Sequence, residues 1–254
     1  MTTHTLADSR TMLRRNLVHA KRYPAMTIGV IIMPVLLLLM FDYIFGGALE
    51  KATAGRYIDY IVPGMMLMIP AYLVVGVAVA VASDMTKGIV NRFRTMPMDH
   101  SSILTGQVVG TVIQGLLGVG LMVAVAVAIG FRPDANALEW LAAFGLIGLV
   151  IFGLSWLGVA FGLAAKTPES ASNIPTPIVF LPFLGSGLVP TGTMPSGVRQ
   201  FAEYQPFTPM TETLRGLLMG TAIGGNGIAA LAWCIGFAVV GYLWSRSLFR
   251  RKTN

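Results

Sequence analysis

Few residues in this chain could do chemistry, and their types and spacing narrow the choice. Gly185-Ser186-Gly187 has the small-residue surround of a serine nucleophile, but a serine needs a base. The three histidines, His4, His19 and His100, all fall in or beside basic segments far from it in sequence. Cys234 is the single cysteine and lies in an apolar stretch, so it has no disulfide partner within the chain and no metal-ligand spacing around it. No G-x-x-x-x-G-K-[ST] run occurs, so the backbone cradle and lysine that hold nucleotide phosphates are lacking. Asp42 and Asp59 are acids inside otherwise apolar runs, where an ionisable group is a candidate for substrate or proton handling. Both lie near the ends of those runs, where a carboxylate reaches water at modest cost. These residues suit transport better than covalent catalysis.

Composition says which elements must position them. Of 254 residues, 55% are hydrophobic and 11% charged, and the mean hydropathy is +0.72. An ordinary soluble domain carries roughly 25% charge. The net charge of +7 does not point to nucleic acid, because the basic residues are distributed between apolar segments without a basic, aromatic-interleaved stripe. Crossing about 30 Å of hydrocarbon at about 1.5 Å per residue takes about 20 mainly apolar residues. Six such runs occur, at roughly Met26 to Gly46, Tyr57 to Ala82, Ile103 to Phe131, Leu138 to Ala165, Ile174 to Gly192 and Ile228 to Leu248. The first is too long for a secretory h-region and lacks a small-x-small cleavage site, which predicts an uncleaved helix. The fold expected is an all-α integral membrane protein of six transmembrane helices forming a single domain over 1–254.

Basic residues near the ends of the runs set the orientation. Thirteen of the 18 lysines and arginines fall on one side: the N-terminal segment, the loop holding Lys87, Arg92 and Arg94, Lys166, and the C-terminal cluster from Arg246 to Lys252. Both termini are therefore expected in the cytoplasm. Leu6, Leu13 and Leu17 recur at near-helical spacing among Arg10, Arg14, Arg15 and Lys21, which predicts a helix over 5–23 lying on the membrane surface. Gly106 and Gly110, Gly158 and Gly162, Gly216 and Gly220, and Gly220 and Gly224 are spaced for close helix packing.

Two segments are not simple spans. Residues 84–100 form a short charged loop with Asp84, Lys87, Gly88, Arg92, Phe93 and Arg94, closed by Pro97. If Lys87 to Arg94 forms about two helical turns, it presents basic groups beside Ile89, Val90 and Phe93, a surface suited to another protein. Residues 193–227, on the opposite side, are too apolar for a free loop and are punctuated by Pro195, Pro206 and Pro209. From Thr208 to Gly227, Glu212, Arg215 and five glycines argue against a further full span. Two short helices dipping back into the membrane fit better, the second running from about Met210 to Met219 with Thr208 as its cap and Pro209 in its first position.

The run Ser83-Asp-Met-Thr-Lys-Gly-Ile-Val-Asn-Arg-Phe-Arg-Thr-Met-Pro97, followed by Gly106, resembles the cytoplasmic signature of the type 2 ABC exporter permeases, particularly the daunorubicin-resistance-like branch. Gly187-Leu-Val-Pro-Thr-Gly-Thr-Met-Pro195, Gln205-Pro-Phe-Thr-Pro209 and Leu214-Arg-Gly-Leu-Leu-Met-Gly220 resemble that family's turn after the fifth helix and its re-entrant segment. The resemblance implies an exporter permease with no cofactor of its own. It would work with two copies of an ABC ATPase subunit, which bind ATP and magnesium, and with a second permease chain, identical or homologous, in a bacterial inner membrane. Asp84, Lys87, Gly88, Arg92, Phe93, Arg94 and Pro97 would couple to the ATPase, and a path for an amphiphilic substrate would run between the permeases. Candidates for that path are Asp42 and Asp59, Met65 and Met68 on the second span, and Phe180 and Phe183 on the fifth, which Pro175, Pro177, Pro182 and Pro190 would kink. Membrane lipid is the other expected partner, and nucleic acid is not expected. The competing reading is a proton-coupled secondary multidrug exporter, which needs an ionisable group near mid-membrane.

Overall fold

The computed structural model describes residues 24–53, 55–86 and 100–253, with side chains described over 32–53, 55–86 and 104–250. The expected surface helix over 5–23 lies outside the described residues. So do Lys87, Gly88, Arg92, Phe93, Arg94 and Pro97 of the charged loop.

The regular structure among the described residues is all helical, with no strand among them. Helix α1 (Pro24–Met40) continues through a π-helical turn (Phe41–Phe45) into α2 (Gly46–Thr53); α3 (Tyr57–Met66) hands over to α4 (Met68–Thr86). Then come α5 (His100–Ile129), α6 (Ala137–Ala164), α7 (Pro168–Asn173), α8 (Thr176–Phe180), α9 (Ser196–Tyr204), α10 (Phe207–Met219) and α11 (Asn226–Thr253). Single turns of 3₁₀ helix sit at Leu181–Leu184 and Thr191–Thr193.

Five helical stretches are long and apolar enough to cross a membrane: Ile32–Thr53, Tyr57–Thr86, Leu104–Ile129, Ala137–Ala164 and Asn226–Arg250. The expected fifth span, Ile174 to Gly192, is not one continuous helix. It is divided into α8, the 3₁₀ turn at Leu181–Leu184 and a turn over 185–188. Pro175, Pro177 and Pro182 lack the N–H that continues a helix, and each ring crowds the preceding turn. The same effect is milder in the second span, where the ring of Pro70 displaces its bond to Met66 and the chain passes from α3 to α4 through Leu67.

Helix α6 is the centre of the bundle. Asn136 opens it with a capping box: its Oδ1 accepts from the N–H groups of Leu138 and Glu139, and Glu139 Oε2 accepts from the Asn136 N–H at 2.7 Å. Its largest interfaces are with α11 and α4. Lipid is as apolar as leucine, so close approach of backbones decides such contacts more than removal of water does. Gly158 and Gly162 show this: a Cβ on them would come within 2.9 Å of the Val74 carbonyl oxygen and 2.5 Å of that of Ala78. The helices α4 and α6 touch through main chain there.

Candidate functional site

The most constrained group of polar side chains gathers where α10 meets α3 and the turn after α8. Helix α10 has 13 residues, about 20 Å at 1.5 Å per residue and short of a full crossing. Phe207, Met210, Leu214 and Leu218 recur at helical spacing and are buried, packing this helix against α3, α6 and α11. Arg215 follows Leu214 and is buried too, at 7% exposure.

A buried guanidinium needs partners, and Arg215 draws them from three elements. Its Nη1 pairs with Glu212 Oε1 at 2.6 Å, one turn back on α10. Its Nη2 donates to the Ser186 carbonyl at 2.9 Å and to the Tyr60 carbonyl at 3.2 Å. Its Cζ stands 3.8 Å from the centroid of the Tyr60 ring, a cation–π geometry. Tyr60 in turn donates its hydroxyl to the Ser186 carbonyl at 2.9 Å, and Tyr57 donates to that of Leu188 at 3.0 Å. Arg215 Nε and Ser186 Oγ are buried with no hydrogen-bond partner among the described residues. Gly64 lets the turn approach this closely, because a Cβ there would lie 2.5 Å from Gly187 Cα.

A second node lies beside it. Thr208 does not cap α10, as its position in the sequence suggests. The helix starts one residue before it, at Phe207, with Pro206 as N-cap. Gln205 supplies the cap instead, its Oε1 accepting from the Phe207 N–H at 3.1 Å. The Thr208 hydroxyl donates to the Ala202 carbonyl in α9 and accepts from the Ser186 N–H at 3.3 Å and Gln205 Nε2 at 3.0 Å. Pro209 sits in the first turn, where its missing N–H costs nothing, and Pro195 is the N-cap of α9.

The substrate-path candidates separate. Met65 and Met68 are 0% and 1% exposed in the interior of the chain, so they offer no adaptable surface; they face inward because α3 and the start of α4 are enclosed on all sides. Phe180 is exposed and Phe183 packs partly into the core, with ring centroids 6.4 Å apart. Asp59 is held in a clasp: Arg56 pairs with its Oδ2 at 2.7 Å, and the Arg132 N–H donates to its Oδ1 at 3.1 Å. Arg56 also donates to the Gly130 carbonyl at 2.9 Å, so this acid fastens the start of α3 to the end of α5. Asp42 lies on the π-helical turn and lines an open cleft of about 260 Å³ with Glu50, Arg56, Tyr57 and Gly130. Asp84, of the charged loop, is half-buried in the last turn of α4.

Sequence reasoning named Arg215, Thr208 and the prolines, and met Gln205 in a motif and Glu212 as a charge in the segment, but gave no site role to Tyr57, Tyr60, Gln205 or Glu212. Tyr57 and Tyr60 are three apart on one helix face, and Gln205 stands directly before Pro206; both were available as signals. The arrangement holds no nucleophile with a base. At Ser186 the carbonyl and N–H are engaged, not the hydroxyl. Among the described residues no group of histidine, cysteine and acids could hold a metal. The site is built to lock elements together.

Comparison with known proteins gives this geometry a context. Residues 8–219 match the family described as ABC-2 type transporter. The daunorubicin resistance ABC transporter permease protein DrrB1 of Streptomyces coeruleorubidus is 29% identical over 233 residues, covering 91% of this chain and 81% of its own. The probable doxorubicin resistance ABC transporter permease protein DrrC of Mycobacterium tuberculosis is 23% identical over 216 residues, covering 84% of this chain and 77% of its own.

Proposed function

This chain belongs to the ABC-2 type transporter family, and on that premise we propose that it is the membrane subunit through which an ATP-driven exporter carries an amphiphilic, drug-like or lipid-linked substrate outward. That it is an ABC exporter permease follows from the family and from the drug-resistance permeases it resembles along most of its length. The observation that carries the reading is the family match over 8–219 on a chain with membrane-length apolar helices. ATP, with magnesium, is hydrolysed on a separate ABC subunit present in two copies, and a second permease, identical or homologous, completes the pathway. The membrane is the bacterial inner membrane. The excess of basic residues at the ends of the apolar runs supports cytoplasmic termini, which requires the proline-broken segment from Pro168 to Leu188 to make the sixth crossing. The segment over 193–227 then lies at the outer end as a re-entrant pair, α9 and α10.

In this arrangement the charged loop over 84–100 receives the stroke of the ATPase. The Arg215 knot carries it to the outer end, because α10, α3 and the turn over 185–188 share one set of hydrogen bonds and must move together. The amphiphile passes along the face that carries Phe180, between two permeases, and the cleft with Asp42 and Glu50 gives a cationic substrate an acidic exit.

The test is copurification from native membranes in mild detergent. An ATPase subunit should come with the wild-type chain and be lost from R92E/R94E. A chain that purifies alone and moves substrate without ATP would overturn the proposal; if that transport also stops in Asp42→Asn, proton coupling replaces it.

A further inference from the structure

Helix α9 has two unlike flanks. Val198 and Phe201 are apolar and half-exposed. On another side of the helix, Arg199 and Glu203 form an ion pair at 2.7 Å, with side chains 51% and 39% exposed. Ala202 lies between the flanks and is buried, its carbonyl taken by the Thr208 hydroxyl. The level of this helix in the bundle follows from a chain of close contacts. Thr208 also accepts from the Ser186 N–H, and Gly187, next to Ser186, touches Gly64. Gly64 stands on α3, which starts at Tyr57, so it lies about 10 Å along the axis from that start. The clasp of Arg56, Asp59 and Arg132 holds the start itself at the water's edge. Ala202 and Glu203 therefore sit roughly 10 Å inside the membrane. Ionised groups at such depth face protein or a water-filled cavity. This pair is not enclosed by its own chain, since both side chains are open. Water must reach it.

We propose that the Arg199–Glu203 flank of α9 lines a water-filled recess on the exit route, where the polar end of the amphiphile leaves the membrane, while the Val198–Phe201 flank lies against lipid. The inference rests on the reading of α9 and α10 as a re-entrant pair at the outer end. An apolar track leads to the recess. Phe180 and Leu184 are exposed one helical turn apart, and the next residue, Gly185, meets α9's anchor so closely that a Cβ on it would run into Gln205 and Thr208. An amphiphile whose apolar part follows that track arrives at the foot of α9. There its polar part finds water and one charge of each sign. A paired flank of this kind hydrates a headgroup without selecting its charge, which leaves charge selection to the cleft with Asp42 and Glu50. The apolar flank suits lipid better than another subunit, because two half-exposed side chains offer far less than the roughly 800 Å² per partner of a stable protein interface.

The experiment uses the chain's lack of competing thiols. Cys234 is its single cysteine and is buried, so Cys234→Ala gives a background in which Val198→Cys, Arg199→Cys, Phe201→Cys and Glu203→Cys are made one at a time. The transporter, purified with its ATPase, is held in lipid nanodiscs, where both faces meet a charged, membrane-impermeant methanethiosulfonate reagent. Arg199→Cys and Glu203→Cys should react at least roughly tenfold faster than Val198→Cys and Phe201→Cys, because the thiolate is the reactive form and apolar surroundings keep a thiol protonated. Modified Glu203→Cys, moved to proteoliposomes, should lose most of the export that the unmodified variant shows. Slow reaction at Glu203→Cys would overturn the recess and leave the re-entrant pair standing, covered there by lipid or by the second permease. Fast reaction at Val198→Cys and Phe201→Cys as well would overturn the re-entrant reading itself, since α9 would then lie outside the membrane. Selective reaction with export unchanged would overturn the place of the recess on the exit route.

Discussion

Helix α10 and helix α1 are opposites in what holds them. The first is short and interrupted by nothing, yet nearly every side chain on it is buried, and its arginine is tied to α3 and to the turn after α8. The second belongs to a long apolar run, but Ile32, Met33, Leu36 and Met40 on it, and Tyr43, Ile44 and Phe45 on the π-helical turn that continues it, are all exposed. By hydropathy α1 is the better membrane helix, and by packing α10 is the better part of the protein. The difference teaches that apolarity places a segment in the bilayer, while polar groups and small residues decide whether it is fixed to its neighbours. In lipid a leucine face gains little from meeting another leucine face, whereas a buried guanidinium is held wherever its acceptors are.

The sharpest way to break the comparison is to remove the tie. Arg215→Met takes the cation from Glu212 and leaves the Ser186 and Tyr60 carbonyls with one donor fewer. Breaking one partner of a buried charged group costs about 3 to 5 kcal/mol; with Glu212 partly exposed, about 3 kcal/mol is expected. Thermal unfolding in detergent should drop by many degrees, with export lost. Arg215→Lys should recover part of it, because an ammonium keeps the charge but cannot serve Glu212 and two carbonyls in one plane. If Arg215→Met unfolds like the wild type, the knot is not what fixes α10.

Next in size is Gly64→Ala. The new methyl would meet the main chain of Gly187, not a movable side chain, so α3 and the turn must separate. Overpacking of this kind costs about 1 to 3 kcal/mol. The loss should be largely absent when Arg215 is already replaced, since one contact surface serves both; additive losses in the double variant would show them to be independent.

Thr208→Val keeps the shape and removes a hydroxyl that serves Ala202, Ser186 and Gln205. A cost of about 1 to 3 kcal/mol follows from leaving buried partners unsatisfied. Thr208→Ser should recover most of the stability. A loss equal in Val and Ser variants would show that packing of the methyl matters and the hydroxyl does not.

How far these features could be read from the sequence depends on their range. Five spans could be, because a run of about 20 apolar residues needs no partner to declare itself, and the boundaries at Ala137 and Ala164 fall within a residue of expectation. The prolines announced that the segment after Ile174 would be irregular. They could not announce that it divides into separate turns, since that depends on Tyr57, Tyr60 and Arg215 being there to take up the freed carbonyls of Ser186 and Leu188. Arg215 itself read as a reason against a full span in the outer segment. It is buried, and its carbonyl acceptors lie 155 and 29 residues away in the chain, beyond any local pattern. Met65 and Met68 failed for a related reason: three methionines in four residues suggest an adaptable surface, and only the placement of α6 and α10 around α3 makes them core.

The smallest expected effect sharpens the comparison from the other side. Replacing Tyr43 by Ala or Ile44 by Ser touches side chains that are 71% and 69% exposed, so the stability of the purified chain should stay within about 0.5 kcal/mol of the parent. Export by the assembled transporter is the second reading to take on the same variants. If it also holds, the outer face of the π-helical turn that continues α1 meets only lipid, which tolerates any apolar surface and most small polar ones near its edge. A loss of export with unfolding unchanged would mean that the face presses on something outside this chain. Helix α1 would then be fixed as firmly as α10, only by a partner in place of its own neighbours.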